Sequence, residues 1–249
     1  MSILKGKGGK AMKKIIKHCF RKLGFDIRRY DPFGYFEFQV TTWLKQNQID
    51  AILDIGANRG QSVQVLRENG YQGNVISFEP LAEAHQQLIE NSRKDKNWHI
   101  APRMAIGDYD GECDINVASN SVSSSLLQMM PLHETTWASS KYINTEKTKI
   151  CTLDGLIGNI IPNSYNNFFI KIDTQGYEDK VLSGMKNKLH MVKGIQVELS
   201  TAPLYSGQKL YYDIINFLVK QEFYLYAISP GFKDKLTGRV LQFDGLFVR

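Results

Sequence analysis

Apolar and polar residues alternate along this chain with two different periods, and the switches between them outline its architecture. Ala51-Ile52-Leu53-Asp54-Ile55 is a short apolar run stopped by glycine, the pattern of a parallel strand buried on both faces. The spacing predicts a helix over Gln61–Asn69, with Gly70 and Gly73 in the turn that follows. Asn74–Phe78 reads as a second strand ending at Glu79-Pro80, and Leu81–Asn91 as a second helix. Strand, glycine loop, helix, strand and helix in succession make a βαβα opening, which right-handed crossovers turn into a doubly wound sheet.

Further along, a third strand is expected within Trp98–Ile106, ending at Gly107-Asp108, and a hairpin over Tyr109–Ala118 that turns at Asp110-Gly111. Ser119–Thr145 has no clear period, contains Pro131 and is rich in Ser, Met and Thr. A long unpatterned stretch of this kind marks a functional or mobile loop, here the candidate lid and acceptor loop. Phe168–Asp173 returns to an apolar strand, followed by Gly176 and a helix from Tyr177 to Gly184. Gly194–Leu199 is another strand and Leu210–Lys220 an amphipathic helix. Phe223–Ile228 and Val240–Val248 read as closing strands joined by the polar turn Pro230–Gly238. Ahead of the sheet, Phe33–Gln46 reads as a helix, and Ala11–Leu23 as a basic amphipathic one. The expected organisation is a basic helical arm or cap over 1–48 and one α/β domain over 49–249.

Composition fits that outline: 249 residues suit one large α/β domain, and 43% apolar with 22% charged residues are ordinary globular values. The charge is uneven. Residues 1–30 hold ten Lys or Arg against one acid, Asp26, while the remainder holds 21 basic and 24 acidic residues. Such an arm suits anionic lipid, nucleic acid or an acidic partner, and the plain alternative is a solubilising helix that packs its apolar stripe on the domain. No apolar run is long enough for a membrane-spanning helix, and no secretory signal is recognisable. Cys19, Cys113 and Cys151 are scattered and form no Cys-x-x-Cys pair, so neither a zinc site nor a disulfide framework is expected. Free thiols fit a cytoplasmic protein.

Four features carry chemistry. Asp54-x-Gly56-x-x-x-Gly60 follows the first strand, where Gly56 allows a sharp turn with close backbone approach and Gly60 lets the helix start near the sheet. A dinucleotide loop usually reads Gly-x-Gly-x-x-Gly; here Asn58 stands in place of the second of those glycines, and the acid Asp54 suits a cationic cofactor such as S-adenosylmethionine. Glu79, at the tip of the second strand, can accept both hydroxyls of a ribose in either cofactor. Asp108 can accept from an adenine amine, or simply make a turn. In Lys171-Ile-Asp173-Thr-Gln175-Gly-Tyr-Glu178, alternation puts Lys171 and Asp173 on one side at the ligand-binding end of a strand. Glu178 begins the next helix, where an acid also answers the dipole.

Taken together, Asp54–Gly60, Phe78-Glu79-Pro80, Ala105–Asp108, Ser124-Ser125-Leu126, Thr152-Leu153-Asp154, Lys171–Glu178 with Val181-Leu182-x-Gly184, and Glu198 resemble the FkbM-type methyltransferases in order and content. The resemblance implies a Rossmann-like class I methyltransferase fold: a mostly parallel seven-stranded sheet with an antiparallel edge and helices on both faces. It implies S-adenosylmethionine as cofactor, held by Asp54, Gly56, Ala57, Asn58, Gly60, Glu79, Pro80, Ala105 and Asp108. It also implies methylation of a hydroxyl on a glycan, glycolipid or polyketide-type product. Gln175 departs from the pattern, since many relatives carry Glu there.

Methyl transfer to an alcohol draws on alignment and on a base for the departing proton. Asp173 is the first choice; Glu178 and Glu198 follow, and Lys171 can pair with Asp173 or touch substrate. His133, in the unpatterned loop, is a further candidate base. No dense ligand cluster calls for a metal. Nucleic acid is not the expected acceptor, because the chain has neither the Pro-Pro tetrapeptide of amino methylation nor a Pro-Cys nucleophile. A nucleic-acid ribose methyltransferase, a nicotinamide oxidoreductase and a non-enzymatic binding module remain as rivals. Peripheral contact with the inner face of the membrane through the arm stands beside the solubilising reading.

Overall fold

A computed structural model describes residues 7–27 and 30–249, which pack as two compact units divided between Tyr35 and Phe36. Lys5, Arg28 and Arg29 of the basic arm lie outside the described residues.

The first unit is built on α1 (Lys7–Lys22). It ends at Gly24, whose φ of +85° is a left-handed turn that lets the Phe25 N–H donate back to the Phe20 carbonyl at 2.9 Å. Met12, Ile15, Ile16, Phe20 and Leu23 are all exposed. The helix expected over Phe33–Gln46 is interrupted. A single 3-10 turn occupies Pro32–Gly34, Tyr35 is extended, and α2 (Phe36–Gln46) starts afresh in the second unit. Among the described residues, no helix is long and apolar enough to cross a membrane.

In the second unit the chain runs β1 (Ala51–Ile55), α3 (Gln61–Glu68), β2 (Asn74–Phe78), α4 (Ala82–Ser92) and β3 (Trp98–Ile100). It then leaves the main sheet for β4 (Met104–Ile106), β5 (Gly111–Ala118), α5 (Pro131–Thr136) and β6 (Tyr142–Cys151). After α6 (Leu153–Leu156) it returns through β7 (Phe168–Ile172), α7 (Glu178–Ser183), β8 (Val192–Ser200), α8 (Tyr211–Lys220), β9 (Tyr224–Pro230) and β10 (Gln242–Val248). The main sheet has seven strands in the order β3-β2-β1-β7-β8-β10-β9, with β10 antiparallel to both neighbours. β4, β6 and β5 form a separate sheet of three.

Two expectations are corrected here. The third strand is two strands in two sheets: Pro102 has no N–H to continue the ladder, and the chain turns away after the Ala101 N–H bonds the Ser77 carbonyl at 3.0 Å. The hairpin over Tyr109–Ala118 is instead one strand, β5, whose antiparallel partner is the distant β6. Accordingly the segment 119–145 is only partly loop, since it also holds α5 and the start of β6.

Strand alternation divides the core. Leu53, Ile55, Ile170, Ile172, Val197 and Leu199 pack with α6, α7 and α8 on one face. Ile52, Phe169, Leu246 and Val248 pack with α2 and α3 on the other, where Val40, Trp43 and Leu44 of α2 are fully part of the core. On this second face the apolar row gives way to polar residues near the carboxyl ends of the parallel strands. Asp54, Lys171 and Gln196 lie side by side in register, with Glu198 opposite Asp244 on the next pair.

Candidate functional site

The loop after β1 is shaped by three left-handed residues, Gly56, Asn58 and Gly60. Gly56 needs its missing side chain: a Cβ there would lie 1.9 Å from the Asp173 carbonyl oxygen. Gly60 serves packing instead, because its Cβ would lie 2.3 Å from the Trp98 ring. The loop is pinned to β2, whose Phe78 carbonyl accepts from the N–H groups of Gly56 at 3.1 Å and Ala57 at 3.0 Å.

Glu79 is buried at the tip of β2. Its Oε2 accepts from the Asn58 N–H at 2.7 Å and its Oε1 from the Leu81 N–H at 2.8 Å. Burial pushes its carboxyl up to about 7, against the pull of those two donors. It opens onto a cavity of about 250 Å³ whose lining also includes Gly56, Ala57, Asn58, Pro80 and Ala105. Leu81, Ile106, Ile115 and Leu126 supply an apolar slot, and Ser121, Ser124 and Ser125 bring in the loop after β5. That loop is tied across the cavity, with the Ser125 hydroxyl donating to the Gln175 carbonyl at 2.7 Å and the Asn58 amide to the Ser121 hydroxyl at 3.2 Å.

Asp54 and Asp108 lie elsewhere. Alternation turns Asp54 to the opposite face from Ile55, where it is buried, accepts from the Ser77 hydroxyl at 2.9 Å and sits 3.8 Å from the Lys171 ammonium. Burial raises its carboxyl despite Lys171. It lines a second cavity of about 240 Å³ with Glu37, Gln196 and Asp244. Asp108 is exposed and paired with Lys180 at 3.1 Å, outside both cavities.

The motif after β7 forms the wall between the cavities. Lys171 donates to Asp173 Oδ2 at 3.2 Å. Burial works against its charge, but Asp173 and Asp54 outweigh it and raise the ammonium above its ordinary value. Gln175, held at a φ of +54°, donates its amide to Asp173 Oδ1 and to Glu198 Oε2, both at 2.8 Å. Its oxygen faces the Tyr205 hydroxyl at 2.8 Å. Gln242 donates to the same Glu198 oxygen at 2.6 Å, and burial raises Glu198 well above the carboxylate range. Glu178 closes the loop: one oxygen accepts from the N–H groups of Thr174 and Gly176 and from the Thr174 hydroxyl. Burial pushes it up to about 7. Neither Glu178 nor Glu198 lines either of these cavities, whereas Lys171 and Asp173 line both.

His133 is withdrawn from any such chemistry. It is buried against Tyr205 and Phe232, and burial brings its imidazole down to about 4. Thr152 and Asp154 of the quoted motif are structural too, Thr152 capping α6 and Asp154 accepting from the Asn187 and Lys188 N–H groups at 3.1 Å. The sequence reading missed Gln196, Gln242 and Asp244. Their signal was polar residues at alternate positions of apolar strands, which register converts into one cluster.

Comparison with known proteins completes the picture. The family whose description is "Methyltransferase FkbM domain" matches residues 54–226. No curated protein matches the chain. Among solved structures, the chain is similar to an rRNA methylase of Streptococcus thermophilus, with 10% identity over 90% of this chain and 99% of that one, at a TM-score of 0.45. It is also similar to the precorrin-6y C5,15-methyltransferase of Geobacter metallireducens, with 12% identity over 85% and 86% of the two chains, at a TM-score of 0.44. M. capricolum TrmK in complex with S-adenosyl-homocysteine shares 10% identity over 86% of this chain and 68% of that one, at a TM-score of 0.41.

Proposed function

Because this chain belongs to the FkbM-domain family of methyltransferases, we propose that it transfers the methyl group of S-adenosylmethionine to a hydroxyl of a sugar, glycan or glycolipid. The observation that carries this reading is the position of Asp173, the one carboxylate among the described residues that lines both cavities.

The first cavity suits the nucleoside. Glu79 presents a buried carboxyl to a ribose diol, the Leu81–Ile106–Leu126 slot takes a flat base, and the bare Gly56 backbone admits close approach. S-adenosylmethionine supplies a sulfonium-activated methyl group. The protein's share is alignment and proton removal. Asp173 would hold the acceptor hydroxyl toward the methyl group that S-adenosylmethionine supplies and would take up the proton that the hydroxyl gives up on transfer. With its side chain 35% exposed, Asp173 can then return the proton to solvent. Lys171 and Gln175 each hold one oxygen of Asp173, which fixes the carboxylate plane.

The second cavity supports a polyhydroxylated acceptor, since Glu37, Gln61, Ser62, Gln196 and Asp244 offer hydrogen-bonding groups around it. Its other wall, Val40, Ile52, Val63, Leu66 and Phe169, favours a second reading, a polyketide-type acceptor with one oxygenated edge. The free thiols of Cys19, Cys113 and Cys151 support placing the reaction in the reducing cytoplasm.

Calorimetry with S-adenosylmethionine and S-adenosylhomocysteine, with NADH as control, tests the cofactor. Methyl transfer to oligosaccharide, glycolipid and polyketide acceptors then tests the class. Asp173→Asn is expected to keep cofactor affinity and lose turnover by roughly 10²–10⁴-fold. Undiminished transfer by that variant refutes the role of Asp173, and absence of sulfur-nucleoside binding refutes the cofactor.

A further inference from the structure

We propose that α1 is a membrane-surface anchor that docks on anionic lipid. The helix is two-sided. From Met12, apolar residues recur at Ile15, Ile16, Cys19, Phe20 and Leu23, which is the i, i+3, i+4, i+7, i+8, i+11 spacing of a single stripe. Lys13, Lys14, Lys17, His18, Arg21 and Lys22 fill the remaining arc, and the helix contains no acid at all.

Side chains of the apolar stripe are exposed. Ile15 is 64% exposed, Phe20 41% and Leu23 72%, and Phe25, just past the helix end, is 65% exposed. Among its described residues the first unit holds one helix and a short turn, too little chain to bury a stripe of this width within itself. The stripe is therefore surplus to the unit's own folding.

Charge and shape together select the occupant. An anionic bilayer surface attracts each lysine and arginine near it, and its acyl boundary receives apolar side chains from a helix lying in the plane. Sixteen residues give a helix of about 24 Å, long enough to lie along the surface and too short and too charged to cross it. RNA would answer the basic arc but offers nothing to Ile15, Ile16, Phe20 and Leu23. The apolar stripe is what favours lipid over a polyanion.

This inference is independent of the cofactor and acceptor, because the anchor is in α1 and the cavities are lined by residues of the second unit. The test uses the full chain in co-sedimentation with vesicles of pure phosphatidylcholine and of phosphatidylcholine with phosphatidylglycerol. A structured RNA is titrated in parallel by fluorescence anisotropy. The wild type is expected to bind the anionic vesicles, at least tenfold more weakly the zwitterionic ones, and less at high salt. Lys13→Glu with Lys17→Glu should weaken anionic binding on the order of tenfold or more. Ile15→Asp with Phe20→Asp should weaken it as strongly while leaving the basic residues in place. S-adenosylhomocysteine binding, measured on every variant, shows that the second unit is still folded and tests the cofactor reading separately.

Three outcomes overturn the proposal. Vesicle binding insensitive to Ile15→Asp with Phe20→Asp would reduce it to non-specific charge. RNA binding without vesicle binding would assign the helix to nucleic acid. No binding to either, with the apolar variants lowering the melting temperature or changing the oligomeric state, would mean that the stripe is covered by this chain or by a second copy.

Discussion

Cofactor affinity should depend on pH through Glu79, and the structure sets the size of the effect. Glu79 is 4% exposed, and burial pushes its carboxyl up to about 7. In the proposed role its ionised form would accept the two hydroxyls of a ribose, and its protonated form would have given up part of that capacity. Protonation therefore competes with cofactor binding. Linkage then makes the dissociation constant of S-adenosylhomocysteine rise about tenfold per pH unit below the folded value, so roughly tenfold between about pH 8 and about pH 6. Calorimetry across that range, repeated in buffers of different ionisation heat, reads both the affinity and the proton released on binding. Glu79→Gln has no proton to lose. It should bind on the order of tenfold or more weakly at alkaline pH, with the loss of a charge-assisted hydrogen bond, and with this component of the pH slope gone. Glu178 at about 7 and Asp244 at about 6 titrate in both proteins, so the difference between the two curves is the measurement. The same linkage acts on folding with a definite sign. A carboxyl raised from 4.5 to about 7 in the folded state makes the protein lose stability as pH rises through that window, by about 3 kcal/mol at most, and Glu79→Gln should remove this component. Parallel curves for wild type and Glu79→Gln would refute the reasoning at its root, since they would mean that Glu79 does not change charge when the cofactor binds.

Gly56→Ala and Gly207→Ala separate steric contact from backbone preference, because both glycines have nearly the same φ, +76° and +77°, but only Gly56 has an atom in the way. Gly207→Ala should cost about 1 kcal/mol in urea unfolding, and Gly56→Ala at least twice that together with a large loss of S-adenosylhomocysteine affinity; equal costs would contradict the contact with Asp173. Lys171→Met leaves Asp54 and Asp173 without their shared cation and should cost about 3–5 kcal/mol. Lys171 is raised, so its own contribution disappears only at strongly alkaline pH, whereas Asp54 is already raised by burial and rises further in the variant. The deficit should therefore shrink as unfolding is measured at lower pH. Gln175→Glu replaces an amide donor with a third carboxyl beside Asp173 and Glu198, and should move the acid limb of the turnover profile to higher pH by about one unit; an unmoved limb would show that the amide does not set the charge of this cluster.

The strands that flank the glycine loop were readable because each is a mostly apolar run, buried on both faces, with a turn residue just after it. Ala51–Ile55 and Asn74–Phe78 have the bounds that the pattern gave them. The small sheet was not readable in this way. Residues 142–151 are exposed at most alternate positions, so β6 has little apolar signal, and its partners β4 and β5 are separated from it by a helix and a loop. Pairing at that range belongs to tertiary structure. The site divides along the same line. Gly56, Asn58, Glu79, Lys171 and Asp173 sit at strand ends, where local pattern suffices. Asp54 and Asp108 were assigned by position along the chain, but side-chain direction and an ion pair with Lys180 take them away from the first cavity. The second cavity became visible only when register placed Gln196 beside Lys171 and Asp244 opposite Glu198.

The division of β3 from β4 has a mechanical consequence. Ile55, Phe78 and Glu79 belong to or abut the main sheet, while Met104, Ala105, Ile106 and Ile115 belong to the sheet of three, so the first cavity is a seam between two separately laddered bodies. Among the described residues, no strand of one sheet is hydrogen-bonded to a strand of the other, and Asn58–Ser121 and Ser125–Gln175 act as side-chain stitches across the gap. A seam can part and reseal without fraying either fabric. A ligand entering there has these side-chain links and the backbone bridge between Met129 and Tyr205 to displace, and the ladder of neither sheet.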